Sequence, residues 1–215
     1  NAGKSTLLKA ISRAKPKIAS YPFTTIKPNL GTLVYKDFRE ISMADLPGLI
    51  EGAHYNVGMG HKFLKHVERT NILLFVIDIQ GFQLNPASHY RTAFETIALL
   101  NRELELYKDD LLDKPAVCLI NKMDVDGAQE KLSELEEQLA NYRDAVEEMD
   151  PELRPSKLVN FREVIPMSAK FSPKTVKYVK KRLREHLDDM NYNQSQILEV
   201  EKSVAKKLEQ TSEKF

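Results

Sequence analysis

Apolar residues along the chain follow two spacings, one typical of strands and the other of helices. Continuous apolar runs at residues 72–79 and 116–120 predict strands that are buried on both faces, as in a parallel sheet. Shorter strands are predicted at residues 30–35, 40–44 and 164–167, the first two joined by a polar turn. Apolar residues three or four positions apart predict helices, which cover residues 4–12, 61–69, 90–107, 132–149 and 176–190.

The alternation of strands and helices predicts an α/β fold with a mostly parallel sheet, helices on both faces and right-handed crossovers. Ligands of such sheets bind beyond the carboxyl ends of the strands. We expect one domain over residues 1–190. The polar residues 191–195 interrupt the helical pattern, so residues 191–215 are expected to form a C-terminal tail with a further helix over 197–208.

Gly3, Lys4 and Ser5 match the end of the phosphate-loop motif G-x-x-x-x-G-K-[ST], which holds phosphate oxygens with backbone N–H groups and a helix N-terminus. The glycine lets the backbone approach closely. Lys4 is expected to place a positive charge at the β and γ phosphates, as a catalytic residue, and the Ser5 hydroxyl to bind Mg²⁺. The nucleotide contacts predicted in this segment are Asn1, Ala2, Gly3, Lys4, Ser5 and Thr6.

A second motif, Asp45-Leu46-Pro47-Gly48, follows the strand predicted at residues 40–44, and all four of its residues are predicted nucleotide contacts. Asp45 occupies the strand-end acidic position that binds Mg²⁺, and the Gly48 N–H can reach a γ-phosphate. Upstream, Thr25 is the candidate for the threonine that completes the Mg²⁺ coordination when a γ-phosphate is present, with Thr24 as the alternative. The predicted metal ligands are Ser5, Thr25 and Asp45, and Thr25 and Gly48 are also assigned to catalysis.

A third motif, Asn121-Lys122-Met123-Asp124, specifies the base. The Asp124 carboxylate can accept hydrogen bonds from both N1 and N2 of guanine, an arrangement that adenine cannot match. After the last strand, Ser168-Ala169-Lys170 fits a backbone contact to the guanine O6 and a lysine that lies along the base. All four residues of the motif and all three of this tripeptide are predicted nucleotide contacts. Together the motifs predict the G domain of a P-loop NTPase that binds GTP or GDP with Mg²⁺.

Several longer stretches resemble the Obg family of GTPases. They are Tyr21-Pro22-Phe23-Thr24-Thr25, Pro28-Asn29-Leu30-Gly31, and the run from Asp45 through Gly48-Leu49-Ile50-Glu51-Gly52-Ala53 to Gly60-His61. The likeness covers residues 1–186, and Phe23, Thr24 and Thr25 of the first stretch are predicted nucleotide contacts. It implies a GTP-hydrolysing switch in the assembly of the large ribosomal subunit, with ribosomal RNA as a partner. The implied location is the mitochondrial matrix, with the nucleolus as the alternative.

The resemblance also implies segments upstream of Asn1. The family carries a glycine-rich N-terminal domain, and its phosphate loop begins before the position that Asn1 occupies here. The strand before that loop is central in the family's sheet. We therefore expect the G domain of this sequence to be N-terminally truncated, with its first strand missing.

Leu49 follows Gly48 where Ras-like enzymes place the glutamine that orients the attacking water, so hydrolysis is expected to be slow. Asn1 matches a phosphate-loop asparagine with which other glutamine-lacking GTPases hold K⁺ near the transferred phosphoryl group. We hypothesise that Asn1 holds K⁺ and acts in catalysis; a loop asparagine that only satisfies backbone geometry is the alternative. A nucleotide-sensing scaffold or RNA-binding module with incidental hydrolysis is the alternative function. An ATP-dependent kinase is disfavoured by Asp124.

The formal net charge of +1 gives no indication of a nucleic-acid or membrane partner, and no apolar run approaches the roughly 20 residues of a membrane-spanning helix. We expect a monomer with a buried structural thiol at Cys118. Local basic groups could contact RNA, although a solvated helix face is the favoured interpretation. These residues are Lys9, Arg13, Lys15, Lys17, Lys174, Lys177, Lys180, Lys181, Arg182 and Arg184. Structural or surface roles are assigned to His54, His61, His66, His89 and His186.

Overall fold

The computed structural model describes residues 2–12, 17–18, 29–45, 68–83 and 89–212. Five helices and six strands lie in these ranges, with short 3-10 turns at Asp109–Asp113 and Pro151–Leu153. In chain order they are α1 (Lys4–Ile11), β1 (Lys17–Ile18), β2 (Asn29–Val34), β3 (Glu40–Asp45), β4 (Leu73–Asp78), α2 (Ala93–Tyr107), β5 (Ala116–Asn121), α3 (Ala128–Ala140), α4 (Tyr142–Glu147), β6 (Phe161–Pro166) and α5 (Pro173–Ser212).

Strands β4, β5 and β6 form a parallel sheet in that order. Every side chain of β5 is buried, as the apolar run at residues 116–120 predicts. In β4 the burial alternates: Leu73, Phe75 and Ile77 are buried, and the residues between them are half-buried. The prediction of burial on both faces is therefore wrong for β4, because one of its faces is only partly covered. Asp78 and Asn121 are paired residues at the carboxyl edge of this sheet.

Strands β1, β2 and β3 form a separate antiparallel sheet. The predicted hairpin is confirmed, since β2 and β3 pair along their full lengths and reverse direction over residues 35–39. Gly31 lies beneath α1, where an added Cβ would stand 2.6 Å from a methyl group of Leu8. Among the described strands, no pairing joins β3 to β4. The strand expected before the phosphate loop stays a prediction.

The core lies between β4, β5 and helices α2, α3 and α4. Helix α2 begins later than its apolar spacing predicts. Thr92 caps the helix by accepting a hydrogen bond from the Glu95 N–H, while the Glu95 carboxylate accepts one from the Thr92 N–H. Tyr90 therefore precedes α2 and is exposed, although it shares the helical spacing of the core residues.

Two predicted helices have different bounds in the structure. The amphipathic segment at residues 132–149 is divided at Asn141, whose φ of −107° and ψ of 42° are not helical. The predicted break at residues 191–195 is wrong, because α5 continues to Ser212. This segment contains neither glycine nor proline, and polar residues alone weaken a helix only slightly. The chain divides into two compact units, residues 1–178 and 179–215.

Candidate functional site

Helix α1 begins directly after a glycine in a left-handed conformation. Gly3 has φ 96° and ψ 15°, and its carbonyl accepts a hydrogen bond of 2.8 Å from the Leu7 N–H. A side chain is excluded here for a second reason, because an added Cβ would stand 2.3 Å from the Asn121 Nδ2. Lys4 occupies the first helical position and is half-buried, and Ser5 and Thr6 are exposed. The free N–H groups of this helix end can hold an anion such as a phosphate.

Asn121 joins three of the predicted segments. Its side chain is 3% exposed, its Nδ2 donates a hydrogen bond of 2.8 Å to the Ala2 carbonyl, and its Oδ1 accepts one of 2.9 Å from the Ala169 N–H. Residues that are separated by more than 100 positions in sequence thus meet at the carboxyl edge of the parallel sheet. The structure therefore brings together the start of α1, the end of β5 and the loop after β6, as the motifs predict.

Ser5 and Asp45 meet at the end of β3. The Ser5 Oγ donates a hydrogen bond of 2.5 Å to the Asp45 Oδ2. Both groups present oxygen atoms, the ligands that Mg²⁺ prefers. Two of the three predicted metal ligands are therefore neighbours, and their hydroxyl-carboxylate chemistry fits the ion. In the part of the chain that the structure covers, no group of three or more His, Cys, Asp or Glu residues has the arrangement of a metal site.

Asp124 is held by the loop that follows β6. The Ser168 Oγ donates a hydrogen bond of 2.5 Å to the Asp124 Oδ1 and accepts one of 3.1 Å from the Phe171 N–H. The backbone links the same two loops, because the Met123 N–H donates to the Met167 carbonyl at 3.1 Å. Asp124 itself is exposed and Ser168 is buried. The carboxylate is therefore orientated by a buried hydroxyl while it stays accessible to a ligand.

Two of the three backbone N–H groups of Ser168-Ala169-Lys170 donate hydrogen bonds to other residues of the protein. The Ser168 N–H donates to the Thr175 Oγ1 at 3.3 Å, and the Ala169 N–H donates to Asn121. The Lys170 Nζ lies 4.8 Å from the centre of the Phe171 ring. Of this tripeptide, Ser168 contacts Asp124 and Ala169 contacts Asn121, while Lys170 lies against the Phe171 ring.

The Lys122 side chain forms an ion pair with Asp78, a residue that the motifs did not predict as part of the site. Lys122 has a φ of 67°, and the Asp78 side chain is 13% exposed. The Asp78 Oδ1 also accepts a hydrogen bond of 3.0 Å from the Gln80 N–H. The sequence offers one indication that Asp78 belongs to the site. This acidic residue lies at the end of a predicted strand, and that strand lies next to the one that ends at Asn121. Asp78 positions the lysine beside the predicted base site.

Several predicted site residues lie outside the described ranges. These are Asn1, Phe23, Thr24, Thr25, Leu46, Pro47 and Gly48, together with Leu49. Of the basic residues that could contact RNA, Arg13 and Lys15 also lie outside them, and Lys9 is exposed in the last turn of α1. Of the histidines, His89 is exposed and His186 is buried, and His54, His61 and His66 fall in the gaps.

Comparisons with known proteins agree with this geometry. A family model described as "50S ribosome-binding GTPase" matches residues 1–122. GTP-binding protein 10 of Homo sapiens is 53% identical over 198 residues, which is 92% of this chain and 51% of that protein. GTPase Obg of Heliobacterium modesticaldum is 51% identical over 139 residues, 65% of this chain and 30% of that protein. The chain belongs to the Obg family of GTPases.

This Obg family chain spans about half the length of the curated relatives it matches. A solved structure of Era, in complex with MgGDPNP and nucleotides 1506–1542 of 16S ribosomal RNA, is 25% identical with a TM-score of 0.53. The match covers 86% of this chain and 53% of that one. The fold is that of a P-loop GTPase G domain. No described helix of this Obg family member is long and apolar enough to cross a membrane.

Proposed function

We propose that this chain is a Mg²⁺-dependent, GTP-binding and GTP-hydrolysing switch that acts in the assembly of the large ribosomal subunit. The observation that carries the proposal is the position of Asn121, which joins the phosphate loop to the loop beside Asp124. This contact supports the proposal because it joins the start of α1, where we propose that phosphate binds, to the loop beside Asp124, which we propose reads guanine. The family model's description as a 50S ribosome-binding GTPase supports the ribosomal role.

The phosphates would bind at the start of α1, where Lys4 supplies a positive charge beside the helix N-terminus. Ser5 and Asp45 would hold Mg²⁺, which neutralises charge on the phosphates during phosphoryl transfer. Thr25 and Gly48 are proposed to complete the site when the γ-phosphate is present, and their release after hydrolysis would switch the protein off.

At the base, the Asp124 carboxylate would accept hydrogen bonds from N1 and N2 of guanine while the Ser168 hydroxyl donates to its Oδ1. The Ser168 and Ala169 N–H groups already donate hydrogen bonds within the protein. We therefore assign the contact to the guanine O6 to the Lys170 N–H. Lys122, held by Asp78, would lie along the base together with the Lys170 side chain. Phe23 and Thr24 are further proposed contacts.

Hydrolysis is proposed to be slow because Leu49 cannot orient a water molecule, with K⁺ held by Asn1 in place of an arginine finger. Single-turnover hydrolysis measured in equal concentrations of KCl and NaCl tests the potassium proposal. A rate at least tenfold higher in KCl is expected, and equal rates would contradict it.

The phosphate assignment is tested by two lysine substitutions in one helix. Lys4→Ala is expected to weaken GTP binding at least about tenfold, since it removes a charged contact to phosphate worth roughly 1.5–3 kcal/mol. Lys9→Ala is the matched control, because Lys9 is exposed in the last turn of the same helix. Equal affinities of the two variants would contradict the assignment.

The switch proposal is tested with ribosomal particles. Co-sedimentation with large subunits is expected in the presence of a non-hydrolysable GTP analogue and not with GDP, and the subunits are expected to accelerate single-turnover hydrolysis. If the chain binds the subunits equally with either nucleotide and they do not accelerate hydrolysis, a scaffold with incidental hydrolysis would be favoured. A mitochondrial matrix location is also proposed, from the family resemblance. Fractionation of cells tests it, with nucleolar recovery as the contrary result.

A further inference from the structure

A second surface of the first compact unit carries exposed rings and positive charges. It consists of Lys170, Phe171, Lys174, Lys177 and Tyr178, called here the 170–178 surface. Phe171 is 64% exposed and Tyr178 is 47% exposed. Residues 170–178 contain three lysines and no acidic residue, so the segment has a local charge of +3. Large apolar side chains are normally buried, so two exposed aromatic rings among lysines are unusual on a protein surface.

The geometry of α5 brings three side chains of this surface together. Lys174, Lys177 and Tyr178 lie in the first two turns of α5, at spacings of three and four residues, and therefore share one face. Phe171 lies two residues before Pro173, the first residue of α5, and the Ser172 hydroxyl between them accepts a hydrogen bond of 3.4 Å from the Thr175 N–H. The loop that carries Phe171 is fixed by the bond from its N–H to Ser168. One ring thus stands before the helix and the other in its second turn.

Each ring has one polar neighbour. The Tyr178 hydroxyl donates a hydrogen bond of 3.2 Å to a carboxylate oxygen of Glu163 in β6. The Lys170 Nζ lies 4.8 Å from the Phe171 ring centre, within the range of a cation–π contact. A ring whose position is already restricted loses less conformational freedom when a flat ligand stacks on it.

We propose that the 170–178 surface binds single-stranded RNA, with bases stacked on Phe171 and Tyr178 and phosphates contacting Lys174 and Lys177. The charge argues for a polyanion: within the described residues, Lys174 and Lys177 form no ion pair with an acidic side chain, and Glu163 is the one carboxylate placed against a ring of the surface. The rings argue for unpaired bases, because the faces of paired bases are stacked within a duplex. The proposal depends on the proposed ribosomal function only for the source of the RNA.

The test is fluorescence anisotropy with a labelled 12-nucleotide oligouridylate and the 215-residue chain. Phe171→Ala and Tyr178→Ala are each expected to weaken binding at least about fivefold, the lower end of what one stacked base contributes. Phe38→Ala is the matched control, since Phe38 is 85% exposed at the hairpin tip between β2 and β3. This control is expected to bind the oligonucleotide as the parent chain does.

Salt dependence tests the phosphate contacts separately. Lys174→Gln and Lys177→Gln are each expected to reduce the slope of log K against log salt by about 0.7, the value for one phosphate on a single strand. Lys36→Gln, at an exposed hairpin lysine, is expected to leave the slope unchanged.

Two results would overturn the proposal. One is unchanged oligouridylate affinity in both ring variants, and the other is equal affinity for a 12-base-pair RNA duplex, which would indicate attraction by charge alone. GTP affinity is measured on the same samples and is expected to stay unchanged in Tyr178→Ala and Phe38→Ala, whose side chains are not part of the proposed GTP site, which also shows that these two variants fold. Circular dichroism shows whether Phe171→Ala folds, because its ring contacts Lys170 beside that site. A chain that binds oligouridylate but no GTP would contradict the proposed GTPase function and leave the 170–178 surface supported.

Discussion

Replacing Gly3 by alanine tests whether the phosphate loop rests on Asn121. The substitution is expected to lower the free energy of unfolding for two separate reasons. The first is the left-handed backbone at φ 96°, which alanine adopts with a penalty of about 1–2 kcal/mol. The second is the added Cβ, which would stand 2.3 Å from the Asn121 Nδ2, well inside van der Waals contact.

Gly127 provides a control in which only the first cost applies. It also precedes a helix in a left-handed conformation, at φ 72°, but an added Cβ would have no atom within 4 Å. Gly127→Ala is therefore expected to lower the free energy of unfolding by about 1 kcal/mol. In Gly3→Ala the buried Asn121 must also move and lose its two hydrogen bonds, each worth about 1 kcal/mol. The expected total for Gly3→Ala is about 3 kcal/mol.

Urea unfolding measures both values, and a double-mutant cycle with Asn121→Ala isolates the contact. Once the Asn121 amide is absent, Gly3→Ala is expected to cost no more than Gly127→Ala. Gly3→Ala is also expected to weaken GTP binding, whereas Gly127→Ala is not. The reasoning would be refuted if the two glycine variants lost the same stability within about 0.5 kcal/mol, or if Asn121→Ala left the cost of Gly3→Ala unchanged.

Three further predictions concern other groups. Burial raises the pKa of Tyr142 from 10.0 to about 12, so the native phenol keeps its proton between these pH values while the unfolded one loses it. The free energy of unfolding is thus expected to fall from pH 10 to 12, and Tyr142→Phe to remove that part of the decrease in urea titrations. Burial also raises the pKa of the Cys118 thiol, so a thiol reagent is expected to label Cys118 only after unfolding, and rapid labelling of native protein would contradict this. Asp45→Asn is expected to reduce the Mg²⁺ dependence of GTP binding but to change the unfolding free energy by less than about 1 kcal/mol, because its bond to Ser5 is exposed.

The sequence predicts the strands and the edge of the site well, because both depend on local patterns. The apolar run of β5 and the hairpin of β2 and β3 are recovered within one or two residues. Asp45 and Asn121 each end a strand, as the motif positions predict, although the two strands lie in different sheets of the described residues. Motif spacing and strand periodicity are properties of short stretches of chain. Strand positions and strand-end residues can therefore be predicted without knowledge of contacts between distant segments.

The remaining features depend on contacts between distant segments. Nothing local in the sequence indicates that Asp78 pairs with Lys122, or that Asn121 fills the space beside Gly3. The polar residues 191–195 predict a helix end, whereas α5 continues through them. Polarity is a weak signal here, because the residues that end helices, glycine and proline, are absent from this segment.

The central claim is that Asp124 reads guanine at this site, and a change of nucleotide preference tests it most directly. Competition of GTP and XTP for a labelled guanine nucleotide is measured with the parent chain, with Asp124→Asn, and with Asp126→Asn as the control, an exposed carboxylate two residues along the chain. An asparagine amide can donate to the 2-oxo group of xanthine but cannot accept from both N1 and N2 of guanine. Asp124→Asn is therefore expected to weaken GTP at least about tenfold and to bind XTP more tightly than GTP, while Asp126→Asn keeps the preference for GTP. A retained preference for GTP over XTP in Asp124→Asn would contradict the account.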